Sequence, residues 1–235
     1  MASPALNTEI KDLRALDAEL AQMAAAVESQ LAEAISAFES RDVSRAQRAI
    51  ETDRRIDEYH RGIEFGVLSI LRAFRLDGQG IQEVMAAMKV SGELERIGDL
   101  AKNVAKRTLV LSELPPIGTT APVARMGRTS LRQVAEVLNA YAARNLNAAH
   151  AVWGGDDDLD ELYNSVFEEI LVTMMNDGRL VSTCTHLGFV AKNFERVGDH
   201  ATNIAETLHF LVTGDLLTDD RPKGDETSTK AVKAI

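Results

Sequence analysis

The chain has 235 residues, of which 45% are hydrophobic but only 5% aromatic, and its 36 acidic against 26 basic residues leave a formal net charge of −10. That balance argues against sequence-independent nucleic-acid binding, which needs a basic surface. The single cysteine, Cys184, excludes a disulfide framework and a cysteine-based zinc site.

The opening MASPALNTEIKDLRAL has no basic segment followed by an apolar run, so it does not read as a signal peptide. No stretch approaches the length of apolar sequence that a transmembrane helix needs, and the expected setting is reducing and cytoplasmic. Helical periodicity carries the rest. Leu13, Leu16, Leu20, Met23, Val27, Leu31, Ile35 and Phe38 recur every three or four residues and predict a helix over 7–39. SRDVS ends it. A second helix is expected over 43–74, with Ile56, Ile63, Val67 and Ile70 on one side, followed by the turn LDGQG and a third helix over 81–111.

SELPPIGTTAP holds three of the five prolines and no periodicity, and marks a boundary. Beyond it, helices are expected over 123–153, 156–176 and 180–213, stopped by Gly154-Gly155, Asp177-Gly178 and Gly214. The polar remainder is expected to be a disordered tail. The expected organisation is therefore all-α: a three-helix unit over 1–114, a second over 115–214, and a tail over 215–235.

The two units repeat one another. ERIGDLAKNVA (95–105) and ERVGDHATNIA (195–205) share seven of eleven positions, and DRRIDEY on the second helix aligns with DDDLDEL, matching Asp53 to Asp156 and Asp57 to Asp160. This duplication makes two stacked three-helix bundles the natural architecture. Residues four apart on a helix are separated by about 6 Å of rise and lie on one face. Glu95, Asp99 and Asn103 therefore form an oxygen-bearing stripe, as do Glu195, Asp199 and Asn203, each facing an Asp–Asp pair on the preceding helix. Such pairs are ordinarily a solvated face. Here they recur in both units, and around Glu95–Asp99 and Glu195–Asp199 no Lys or Arg stands at the fourth position to relieve them. A mid-helix glycine, worth about 1 kcal/mol of cost relative to alanine, also stands beside the Asp in both copies. Gathered carboxylates resist joint ionisation unless a cation neutralises them, so the pattern favours a hard or borderline ion, whose identity oxygen ligands leave open. Arg96 and Arg196 point away from their Glu neighbours, toward an adjacent helix or solvent. Glu206 and His209 have the spacing used by di-iron bundles, but it occurs once, and Asp57–His60 is not repeated either. Cys184 reads as a core residue.

The paired ERIGD/ERVGD-x-A-x-N-[VI]-A segments, with D-x-x-x-D on the helix before, resemble the PhoU family over nearly the whole chain except the tail. The resemblance implies two three-helix bundles related by a pseudo-twofold axis. It implies metal ions (iron, zinc, manganese or magnesium) bound by Asp53, Asp57, Glu95 and Asp99 in one half and by Asp156, Asp160, Glu195 and Asp199 in the other. Asn103, Asn203, Arg96 and Arg196 are possible additions. It further implies a non-enzymatic, cytoplasmic negative regulator of the phosphate regulon. Its expected partners are the ATPase subunit of the phosphate importer, a PhoR-type sensor histidine kinase and a second copy of the chain, with membrane association only through partners. The runner-up reading is a di-metal carboxylate protein with a redox or storage role. One departure stands out. The turn before the third helix, FRLDGQGIQEVM, lacks the Pro and the DLR that many relatives carry there.

Overall fold

The computed structural model describes residues 4–155, 157–217 and 227, with residues 4–11 described for their backbone only. Among them are seven α-helices: α1 (Pro4–Ser40), α2 (Val43–Ala73), α3 (Gly78–Glu113), α4 (Thr120–Ala142), α5 (Leu146–Gly154), α6 (Asp157–Asn176) and α7 (Val181–Thr213). A 3₁₀ turn, Gly178–Leu180, leads into the last. Most of the tail, including every residue from 218 to 226, lies outside the described residues, as does Asp156.

Short polar residues start several of the helices. Asp42 accepts a hydrogen bond from the Arg45 backbone N–H at 3.0 Å and caps α2, and Asp77 accepts from Gly80 N–H at 2.8 Å and caps α3. Each satisfies one of the donors a helix start leaves open. The caps place the helix starts within three residues of where periodicity puts them.

Helices α1, α2 and α3 pack as one bundle, and α4 to α7 as another. The two join along α3 and α7, with α1 against α4. The core is continuous across the join: Phe38 of α1 meets Phe194 of α7 edge-to-face, with ring centroids 6.3 Å apart. α4 approaches closely because residue 127 is glycine. A Cβ there would stand 2.8 Å from Phe194 Cζ and 3.1 Å from Ile35 Cγ1.

One expectation is corrected. The helix expected over 123–153 is two helices, α4 and α5, broken at Ala143–Asn145. Arg144 takes a left-handed backbone (φ 52°). Asn145 N–H reaches back to Ala140 O at 2.9 Å and Arg144 N–H to Tyr141 O at 3.1 Å, the paired bonds of a helix C-terminus. Asn145 then caps α5 by accepting from Ala148 N–H. The same turn stands in the first half, where Arg41 is left-handed (φ 56°) and Asp42 N–H bonds Ala37 O. α4 thus corresponds to α1, and α5 with α6 to α2 in two pieces. The duplicated arginines differ in partners. The Arg41 guanidinium donates to the Leu111 and Leu114 carbonyls at the end of α3, whereas Nη1 of Arg144 is buried without a hydrogen-bond partner among the described residues.

Candidate functional site

The first-half stripe is assembled by close packing of α2 on α3. Gly98 permits it: a Cβ at that position would stand 3.2 Å from Ile56 Cδ1 and 3.2 Å from Gln30 Oε1. Close helix approach therefore accounts for this glycine and its cost. Across the contact, Asp53 is buried and Asp57, Glu95 and Asp99 are half-buried.

The cation between these carboxylates is supplied by the chain. Lys102 Nζ lies 2.6 Å from Asp53 Oδ2 on α2 and 2.6 Å from Asp99 Oδ1 on α3. The side chains of Lys102 and Asp53 are 22% and 12% exposed, so little water screens the contact. Burial opposes the lysine's charge, but the hydrogen bonds and charges of Asp53 and Asp99 outweigh it and hold its acidity well below that of an ordinary lysine. The expectation that no basic residue relieves this stripe is therefore corrected: the lysine comes three residues after Asp99 rather than four, and the rotation of the helix still brings it to the carboxylate. Arg96 is exposed and turns back along its own helix, with Nε 3.4 Å from Glu95 Oε2 and Nη1 3.8 Å from Asp99 Oδ2. Among the described residues, its ion pairs are with its own helix. Burial, then the charge of Asp99, pushes the Glu95 carboxyl above its usual value. Asn103 is exposed.

In the second half, Asp160 and Glu195 are buried and Asp199 is half-buried. Asp156, the fourth expected ligand, lies outside the described residues. Lys192 Nζ stands 2.9 Å from Glu195 Oε1 and 4.9 Å from the centroid of the Tyr163 ring, so a lysine enters this cluster too, from three residues before the motif. The position matching Lys102 is Thr202, whose hydroxyl donates to the Asp199 carbonyl at 2.7 Å. Arg196 is exposed.

Among the described residues, no group of three or more His, Cys, Asp or Glu side chains is placed to hold a metal ion. The ammonium of Lys102 stands on the oxygens a metal would use. The first-half residues as placed do not fit a resident metal.

A third polar cluster links the halves. His200 Nδ1 hydrogen-bonds Glu93 Oε2 at 2.6 Å, and Asn203 Nδ2 donates to the same oxygen at 3.1 Å. Burial works against the Glu93 charge, yet these bonds outweigh it and hold the carboxyl below the usual glutamate value. Asn203 thus braces α3 against α7 rather than extending the Glu195–Asp199 stripe. Sequence reasoning missed Glu93 and His200 because neither belongs to the repeat: the matching residues are Asn193 and Leu100. The discounted histidines have other partners. His60 Nδ1 bonds Ser91 Oγ at 3.2 Å, and His209 Nδ1 meets His150 Nε2 at 3.0 Å, while Glu206 accepts from Trp153 Nε1 at 3.1 Å. Cys184 is fully buried, as expected of a core residue.

The comparisons with known proteins agree with the duplicated architecture. The PhoU domain model matches twice, over residues 20–108 and 123–208. The phosphate-specific transport system accessory protein PhoU homolog of Caulobacter vibrioides is 43% identical over 219 residues, covering 92% of this chain and 94% of its own. The homolog of the same name from Rhizobium meliloti is 36% identical over 221 residues, 93% of each chain. The crystal structure of PhoU from Pseudomonas aeruginosa superposes with a TM-score of 0.84 at 32% identity, covering 89% of this chain and 99% of that one. With both repeats matched and relatives similar over nearly their full lengths, the chain belongs to the PhoU family.

Proposed function

We propose that the protein is a non-catalytic, cytoplasmic regulator of phosphate signalling that represses the phosphate regulon when phosphate is plentiful, acting between the phosphate importer and a sensor histidine kinase. The observation that carries the reading is the full-length similarity, over both repeats, to accessory proteins named for the phosphate-specific transport system.

The surface supports a docking role. At the end of the first bundle, Phe65, Leu68 and Leu71 of α2 and Ile81, Met85 and Met88 of α3 are all more than 40% exposed. Apolar side chains left outside the core in this number on one helical hairpin suit a partner surface. Among the described residues, no helix is long and apolar enough to cross a membrane; in this reading the chain meets the importer on its ATPase subunit. The di-metal oxidase alternative finds no support in the placement of Glu206 and His209, which are committed to Trp153 and His150.

The reading is tested by capturing purified importer ATPase and the cytoplasmic part of the sensor kinase on the immobilised full-length chain. Both are expected to bind, and Phe65→Asp with Met85→Asp is expected to weaken at least one of them by about tenfold or more, as loss of a central apolar anchor does. Absence of binding by either partner would count against the role.

A further inference from the structure

We propose that Lys102 is the resident cation of the first-half carboxylate cluster and that it closes this half to a metal ion, so that the side chain at position 102 decides whether a divalent cation binds there. The family reading of an acidic stripe as a metal ligand set and the geometry around Lys102 are in direct competition. Nζ lies 2.6 Å from Asp53 Oδ2 and 2.6 Å from Asp99 Oδ1, whereas Mg²⁺ or Ca²⁺ would sit about 2.0–2.6 Å from the same atoms. The two positive centres cannot share these oxygens without one leaving.

The charge inventory shows why position 102 is decisive: without its ammonium the cluster would carry one more uncompensated negative charge. Asp53, Asp57, Glu95 and Asp99 bring four negative charges, and Lys102 and Arg96 return two positive ones, Arg96 from the outer side on Glu95 and Asp99. His60, which also faces Glu95, is bonded to Ser91. A tethered ammonium needs no free ion in solution, so it offsets part of the cluster's charge, and occupies the Asp53 and Asp99 oxygens, at any metal concentration. The device is not a copied feature. The second half carries Thr202 at the matching position and brings Lys192 to Glu195 from the other end of the motif, where the first half has Gly92. Two lysines at unrelated repeat positions thus enter the two clusters, which marks neutralisation from within as a property of this chain rather than an accident of the duplication.

The test is a titration of the full-length protein with Mn²⁺ by calorimetry and electron paramagnetic resonance, with melting temperature followed alongside. It uses an Asp199→Asn background, which weakens the second-half cluster. Three chains are compared: the parent, Lys102→Met and Lys102→Arg. Removing a unit positive charge about 4 Å from a divalent ion is expected to tighten Mn²⁺ binding by at least about tenfold even with water-like screening. Lys102→Met is therefore expected to gain a Mn²⁺ site and a melting temperature that chelator lowers, while Lys102→Arg behaves as the parent. Lys102→Thr, which installs the second-half residue, serves if the Met variant folds poorly. A parent that binds Mn²⁺ in this half as tightly as the Met or Thr variant overturns the proposal, and so does a folded variant that gains no binding. Neither result touches the regulatory reading, which is measured by partner capture.

Discussion

At the residue scale, the site is governed by which charges find partners. Glu93 is held below its usual value by His200 and Asn203, so its ionised form contributes stability. That contribution is present above the ordinary glutamate value and is lost as pH falls through the depressed one. Glu93→Gln is expected to lower unfolding free energy by about 1–2 kcal/mol near neutral pH, and the gap to wild type should shrink at about pH 3. Urea titrations at the two pH values check this, and a gap that is unchanged at low pH would contradict it. Glu95 has the opposite sign. Its raised value means that ionisation costs stability once pH exceeds the unfolded value, so Glu95→Gln should be neutral or stabilising near neutral pH. The left-handed arginines separate in the same way. Arg144→Gly relieves a left-handed backbone and an unbonded nitrogen but gives up the contacts of Arg144 with Tyr141 and Asp17, so it should change stability by less than about 1 kcal/mol, whereas Arg41→Gly removes two carbonyl contacts and should destabilise by about 1–2 kcal/mol. Thermal unfolding of the pair decides it. Much of the candidate site was legible in the sequence: the i, i+4 spacing of Asp53–Asp57 and Glu95–Asp99 did bring the helices' acidic faces together. Its neutralising cation was not legible, because Lys102 differs between the two copies and duplication draws attention to what they share.

At the element scale, helix positions follow from periodicity and their ends from capping. The misplaced break in the second half shows the limit. Apolar residues at helical spacing run through 137–153, and nothing in their pattern distinguishes a continuous helix from two. The break comes from a turn that Arg144 adopts despite its side chain and from the Asn145 cap, and comparison with SRDV in the first half is the signal that could have revealed it. Packing between elements is steeper than either. Gly127→Ala would place a methyl 2.8 Å from Phe194 Cζ. It is expected to cost about 1–3 kcal/mol as α4 is forced from α7. A denaturant midpoint equal to wild type would show that α4 can shift freely, contrary to this packing.

At the scale of the whole molecule, the all-α class and the duplicated bundle were readable because two copies of one pattern reinforce each other. The way the bundles join was not, since the contacts that fasten α3 to α7, such as Glu93–His200 and Arg107 over the Phe189 ring at 3.9 Å, come from positions where the copies diverge. The acidic motifs first suggested chemistry. Their surroundings instead place a lysine of the chain on the first-half carboxylates and leave an apolar end of the first bundle exposed, and the docking role proposed for that end is what remains to be measured. The most direct measurement is a phosphate-regulated reporter in a bacterium lacking its own family member, grown in phosphate-rich medium. Expression of this chain is expected to return the reporter to its repressed level, and Phe65→Asp with Met85→Asp to leave it on. A reporter that stays fully on while the wild-type chain accumulates as folded protein would contradict the regulatory account.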